Sequence, residues 1–356
     1  MRYRARPPVD CPGGGTPPRG GEVRSSVARN RSTTAWVVAG VLAAVVVVAS
    51  LVVIVVSLRS EPPTTAVPPT SDTTSTTTTV TPTTGGFDDS TTTVPPEVDE
   101  REVTLQHGGR DRTYLLVTPR DVPDGERLPV VVVLHGMGVH ARATSKSAEW
   151  HRSVEEERFV AAFPQGIGDS WNMGPCCPPA NLVDIDDFGF LDAVLDDLVR
   201  RDDVDPQRVY MTGFSNGGVM TYAYACRRTE RLAAIGPMAG SNLDGCAPSE
   251  PLSLLHQHSD SDPVVPYHGG LAIGRIVSSK DFPDVPSSVG RWAERSGCET
   301  TPVRRAGVSE VEHIEWPGCD GDVRVELVRV PGRAHNWLKK GDYDPLDELL
   351  RFFDIA

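Results

Sequence analysis

The sequence predicts an α/β domain, a mainly parallel sheet with helices on both faces, preceded by one transmembrane helix and a disordered Thr/Ser/Pro-rich stalk. Three observations carry this. From residue 103 onward, short apolar runs alternate with stretches of helical periodicity, the pattern of strands joined by crossover helices. Residues 35–58 are 24 uncharged positions dominated by Val, Ala and Leu, long enough to cross a hydrocarbon layer as a helix. Between the two lies a tract of Thr, Pro, Ser, Val and Asp with too little apolar surface to form a core.

Taken in order, residues 1–34 are expected to be a disordered cytoplasmic tail, 35–58 a signal-anchor helix, 59–101 the linker and 102–356 the globular domain. Arg24, Arg29 and Arg31 precede the apolar run and Arg59 alone follows it closely, so the positive-inside rule leaves the N-terminus in the cytoplasm. The expected location is the cell membrane, single-pass, with the globular domain extracellular. A cleaved signal peptide fits less well, because its apolar region is shorter and ends in a small-x-small site. Residues 61–100, at a polyproline rise of ~3.1 Å each, could reach roughly 120 Å, and their Thr runs suit O-glycosylation.

Charge divides the chain. Eight arginines against Asp10 and Glu22 make residues 1–60 about +6, so a total of −13 leaves the rest near −19. An acidic body speaks against nucleic acid as a partner. Six of seven cysteines lie beyond the stalk (Cys176, Cys177, Cys226, Cys246, Cys298, Cys319), an even number suited to disulfides outside the cell. Cys298 and Cys319, which bracket one segment, are the best candidate pair. Adjacent Cys176 and Cys177 are expected to seek distant partners, since a bridge between neighbours is strained. No Cys-x-x-Cys spacing suggests zinc, and no metal is expected.

Within the domain, residues 103–107 and 113–119 read as a leading hairpin. Leu128–Leu134 is a continuous apolar run, as expected for a strand buried on both faces. A helix is predicted over 145–157, a strand over 159–163 and a helix over 188–199, where Phe190, Leu191, Val194, Leu195 and Leu198 recur at helical spacing. Strand 208–213 feeds Ser215 and helix 216–226 leaves it. Strands follow at 232–237, 252–256 and 323–330. The chain closes with a helix over 345–353, capped by Asp344 with Pro345 in its first turn.

The stretch Gly213-Phe214-Ser215-Asn216-Gly217-Gly218 has the Gly-x-Ser-x-Gly form of a nucleophile elbow, where a strand turns sharply into a helix. Gly213 and Gly217 fall where the two backbones must come together. A serine nucleophile needs a histidine base, and the base needs a carboxylate to fix its tautomer. In a sheet of this kind the order is Ser, acid, His. Asp260 and Asp262 both follow the 252–256 strand and are the acid candidates. An alternative takes His256, His258, Asp260 and Asp262 as alternating ligands of a metal. Of the histidines beyond the acid, His268 is too close to fold back, and His313 lies in an alternating, strand-like stretch and reads as structural. His335 follows the last strand, where a base belongs. The oxyanion donors would be the backbone N–H groups of Asn216 and Met137.

Several motifs now stand in one order: His135-Gly136, Phe163-Pro164-Gln165-Gly166, Trp171-Asn172, Asp186-Asp187-Phe188-Gly189-Phe190, the Gly213–Gly218 elbow, Asp262-Pro263-Val264-Val265-Pro266-Tyr267 and His335-Asn336-Trp337. Together they resemble the polyhydroxybutyrate depolymerase and feruloyl/acetylxylan esterase branch of the α/β-hydrolases, over residues 103–356. The resemblance implies an α/β-hydrolase fold and Asp262, not Asp260, as the acid. It implies that Trp171 and Trp337 flank the substrate cleft. It also implies a serine esterase acting on a small-molecule or polymeric ester through an acyl-enzyme, with no cofactor. The chain departs from the family at Met137-Gly138-Val139-His140 and at Arg333-Ala334, positions that shape the pocket and leave the triad intact. The rival readings are a serine peptidase of the same fold, for which no gating domain is seen, and a stalked module that binds cell-surface glycans without turnover.

Overall fold

In a computed structural model, residues 98–271, 280–336 and 338–356 are described. The predicted tail and membrane helix, residues 59–97 of the predicted linker, Cys11 and Trp337 lie outside them, whereas residues 98–101, expected to end the linker, begin the first strand. No helix among the described residues is long and apolar enough to cross a membrane.

Ten strands form one sheet: β1 (Val98–His107), β2 (Arg110–Pro119), β3 (Leu128–Leu134), β4 (Val160–Pro164), β5 (Val204–Phe214), β6 (Ala234–Met238), β7 (Ser253–Ser259), β8 (Val303–Ala306), β9 (Glu312–Trp316) and β10 (Val325–Val330). Their order is β1-β2-β4-β3-β5-β6-β7-β10-β9-β8. The six central strands from β4 to β10 run parallel. Antiparallel pairs finish both edges, the leading hairpin on one side and β9 and β8 on the other.

β3 reads as it does because both its faces are covered. Val130, Val132 and Leu134 enter one core and Val131 and Val133 the other, all nearly inaccessible. Each such side chain contributes roughly 1.5–3 kcal/mol of burial, which makes the strand a firm base for the loop at its end. The first core lies under α3 (Asp187–Val199), α4 (Asn216–Arg227) and α5 (Val285–Arg295). The second lies under α1 (Ala141–Ser145), α2 (Trp150–Glu157) and α6 (Pro345–Phe352).

Two expectations change. The helix predicted over 145–157 is confined to Trp150–Glu157, because Ala148 and Glu149 adopt left-handed backbone (φ 51° and 59°) ahead of it, and the short helix Ala141–Ser145 before them was not anticipated. Helix α5 and strand β8 were not anticipated. The signal for α5 was present in Asp284, whose side chain accepts from the Ser287 N–H, with Pro286 in the first turn. At the C-terminus, Asp344 caps α6 by accepting from the Leu346 N–H at 2.9 Å, with Pro345 in its first turn.

The six cysteines beyond residue 102 pair as Cys176–Cys177, Cys226–Cys246 and Cys298–Cys319. The last is as expected. The first corrects the expectation of distant partners. Cys226 and Cys246 tie the end of α4 to the loop after β6, so with Cys298 and Cys319 also paired the two neighbours have only each other among the described cysteines. Both are fully buried in a tight turn, where the Cys177 N–H donates to the Trp171 carbonyl.

Candidate active site

Ser215 stands between β5 and α4 with φ +55°, a left-handed conformation that a non-glycine residue adopts only when its surroundings impose it. Its N–H donates to the Met238 carbonyl at 2.9 Å, which fixes the turn against β6. The glycines around it are needed for clearance. A Cβ at Gly213 would fall 2.5 Å from the Gly217 carbonyl carbon, and one at Gly217 would strike the Leu134 carbonyl oxygen. The side chain of Ser215 is therefore held at the carboxyl end of the sheet with little freedom.

His335 comes to it from the loop after β10. The Ser215 hydroxyl donates to His335 Nε2 at 2.7 Å, and His335 Nδ1–H donates to Asp262 Oδ2 at 2.7 Å. The remaining oxygen of Asp262 accepts the N–H groups of Val264 and Val265 at 2.8 and 2.9 Å. Burial pushes the Asp262 carboxyl up. Its bonds with His335 and the Val265 N–H, with His258 nearby, outweigh that and hold it below the usual carboxylate range. The structure thus brings the three predicted residues into one hydrogen-bonded line.

Asp260, the other acid candidate, faces elsewhere. It accepts from Arg329 at 2.6 Å and from the Gly332 N–H at 3.0 Å, so it anchors the start of the loop that carries His335. The alternating metal set does not converge. His256 bonds His258, and His258 faces the Val265 carbonyl. Among the described residues, the cluster with ligand spacing is His313, Glu326 and Glu348, away from the serine. There His313 pairs with Glu326 at 2.5 Å, a bond that raises its pKa, in keeping with a structural residue.

The proposed oxyanion loop lies against the elbow. A Cβ at Gly136 would sit 3.6 Å from Ser215 Cβ. Among the described residues, the backbone N–H groups of Met137 and Asn216 donate to no other group. The loop is braced from below. Gly166 N–H donates to His135 Nε2 at 2.9 Å and Gly138 N–H to the Asp169 carbonyl at 2.8 Å. The Gln165 side chain accepts from Ala141 N–H and donates to the Gly166 carbonyl. Burial depresses the pKa of His135, which keeps it neutral for these bonds. This accounts for the Pro164-Gln165-Gly166 motif.

Trp171 corrects the expectation of a cleft residue. It is 0% exposed. Its indole N–H donates to the His135 carbonyl at 3.0 Å, its backbone N–H to Asn216 Oδ1 at 2.8 Å, and its ring lies against His135. It joins the proposed oxyanion loop to the elbow from within the core. Trp337 is outside the described residues. Asp187, from the acidic motif before α3, is buried on Arg112 at 2.7 Å and accepts the Asn172 N–H at 2.8 Å. Exposed apolar side chains stand near the motif loops at Met137, Val139, Leu182 and Val183.

The elbow, the parallel sheet and the Ser–acid–His order are those of the α/β-hydrolase fold. No family model matches the chain. Known proteins do. Feruloyl esterase B of Piromyces equi is 28% identical over 236 residues, which is 63% of this chain and 42% of that protein. A bifunctional acetylxylan esterase/xylanase of Neocallimastix patriciarum is 24% identical over 58% of this chain and 29% of its own. Feruloyl esterase C of Emericella nidulans is 32% identical over 140 residues, 39% of this chain and 47% of that one. The chain therefore spans less than half the length of each of these three. Among solved structures, an acetyl xylan esterase from Aspergillus awamori covers 72% of this chain and all of its own, with TM-score 0.50 and 13% identity. That likeness bears on the fold.

Proposed function

We propose that this chain is a carboxylic-ester hydrolase that works through a serine acyl-enzyme. The observation that carries the reading is the line Ser215–His335–Asp262, with both bonds at 2.7 Å and the serine strained at an elbow. His335 Nε2 takes the Ser215 proton as Oγ forms a bond to the ester carbonyl carbon. The resulting oxyanion sits on the N–H groups of Asn216 and Met137. As the ester C–O bond breaks, the proton passes from His335 to the leaving alcohol. A water then gives a proton to His335 as its oxygen bonds the acyl carbon, and when the acyl–Oγ bond breaks His335 returns the proton to Ser215 and the acid is released.

The substrate is a small-molecule or polymeric ester. Relatives named as feruloyl and acetylxylan esterases favour acyl groups carried on a polysaccharide. The 24-residue apolar run and the basic residues before it favour a membrane anchor with the catalytic domain outside, and three disulfides suit that oxidising side. Ser215→Ala is expected to abolish p-nitrophenyl acetate hydrolysis and fluorophosphonate labelling while the circular dichroism spectrum is unchanged. Full activity in that variant would sink the proposal. Protease added to intact cells should remove the domain, and a domain that is cut only after lysis would overturn the topology.

A further inference from the structure

Behind Asp262 runs a second, fully buried line of polar groups that the triad chemistry does not use. The Tyr222 hydroxyl lies 2.7 Å from His256 Nδ1, His256 Nε2 lies 2.9 Å from His258 Nδ1, and His258 Nε2 lies 2.8 Å from the Val265 carbonyl oxygen. His258 Nε2 is also 3.5 Å from Asp262 Oδ2, the oxygen that holds His335. All three side chains are at most 1% exposed. The two imidazoles stack with their planes 5° apart, and Tyr267 packs edge-on against His258.

The direction of every bond follows from its last member. A carbonyl oxygen only accepts, so His258 Nε2 carries a hydrogen. Burial depresses His258 to about 4 and His256 well below its ordinary value, so both rings are neutral. A neutral ring with its hydrogen on Nε2 has a bare Nδ1. His258 Nδ1 therefore accepts from His256 Nε2–H, and His256 Nδ1 accepts from the Tyr222 hydroxyl. Tyr222 stays protonated, since burial raises its pKa far above 10. No member can turn its dipole without orphaning a neighbour in the core.

We infer that His258 is a positioning residue for the acid of the triad, and that Tyr222 and His256 lock its tautomer so that a fixed N–H faces the Val265 carbonyl and the Asp262 carboxylate. Resting on the triad reading above, the inference adds a reason for the acid loop's precision. The Val265 N–H donates to Asp262 Oδ1 while the Val265 carbonyl accepts from His258, so the peptides on both sides of Val265 are pinned. Tyr222 lies two turns along α4 from Ser215, so the line also ties the nucleophile's helix to the acid's strand. His258 itself moves no proton.

The test uses the full-length protein in detergent with p-nitrophenyl acetate. His258→Phe keeps a planar ring and loses the N–H. Its kcat is expected to fall about 10- to 100-fold, the range for partners that orient a functional ligand. KM should stay within about threefold, since no substrate contact is removed. The acidic limb of kcat/KM should move to lower pH, because the imidazolium formed at His335 loses part of its carboxylate support. His258→Gln, whose amide N–H reaches the place of Nε2, should recover about a third of kcat or more. Tyr222→Phe, which folds around the same ring, should lower kcat about 3- to 10-fold with the limb moving the same way. Wild-type kcat and limb in folded His258→Phe or in Tyr222→Phe would overturn the inference. So would a change confined to KM. Failure of the wild-type protein to react with a fluorophosphonate would overturn the triad itself, and this inference with it. That result is read on the unmutated chain.

Discussion

Asp262→Asn tests the site most sharply, because the structure dictates how the new side chain must sit. Oδ1 of Asp262 accepts two backbone N–H groups, from Val264 and Val265, at 2.8 and 2.9 Å. An asparagine must keep its carbonyl oxygen there, which turns its NH2 toward His335. Facing a donor, His335 Nδ1 gives up its hydrogen and the ring carries it on Nε2. In that tautomer it cannot accept the proton of Ser215. The expected loss is about 10⁴-fold in kcat, or about 5 kcal/mol of transition-state stabilisation. The assay is p-nitrophenyl acetate hydrolysis from acid to alkaline pH, with circular dichroism to confirm the fold. A loss of less than about tenfold would refute the reasoning, since a neutral, wrongly tautomerised base cannot be that effective. The same variant has a stability signature. The folded-state pKa of Asp262 is depressed, so its ionised form stabilises the fold above its unfolded value of about 4, and that contribution is lost as pH falls through the folded value. Asp262→Asn has nothing to lose in that window. Its denaturation midpoint should fall less steeply below pH 4 than that of the unmutated protein.

Three further outcomes are expected. Gly213→Ala sets a Cβ 2.5 Å from the Gly217 carbonyl carbon and 2.9 Å from Leu134 Cβ. It should cost about 1–3 kcal/mol in urea melts and shift Ser215 enough to lower kcat, and a neutral effect on both would show that the turn is looser than described. Trp171→Phe keeps the buried ring and loses the N–H to the His135 carbonyl, for about 1–2 kcal/mol of stability and a lower kcat at unchanged KM. A rise in KM confined to bulky or aromatic esters would instead return Trp171 to the cleft. Replacing Cys298 and Cys319 together by Ala opens a link across a sequence separation of 21 and should cost about 3 kcal/mol, read as a lower unfolding midpoint in the absence of reductant. A midpoint equal to that of the unmutated chain would count against the pairing.

The sheet and the meeting of Ser215, His335 and Asp262 were legible because each leaves a one-dimensional trace. Leu128–Leu134 is apolar at every position, which happens only when both faces are covered. Gly213, Ser215 and Gly217 carry a steric requirement at fixed spacing. The roles of Trp171, Gln165 and Asp187 were not legible, since each acts through bonds to backbone far along the chain. Nothing local tells a tryptophan that braces Asn216 and the His135 carbonyl from one that lines a cleft. The Cys176–Cys177 pair escaped for another reason. The rule that neighbours avoid each other is sound on average, but here Cys226 and Cys298 had already found Cys246 and Cys319.

The choice between Asp260 and Asp262 shows where spacing ends and register begins. Both follow β7 at adjacent same-parity positions, so alternation cannot separate them. The sheet can. Asp260 still donates its N–H to the Val330 carbonyl, within reach of the ladder between β7 and β10, and so its carboxylate is taken by Arg329 of β10 and by Gly332 just beyond. Asp262 lies past the turn, where its N–H folds back to the Ser259 carbonyl and its carboxylate is free of the ladder and can meet His335. On the proposed mechanism the two acids divide one task. Asp260 fixes the start of the loop that delivers the base, and Asp262 orients the base once delivered. Asp260→Asn should then slow turnover through a misplaced His335, more mildly than Asp262→Asn, and without moving a proton of its own.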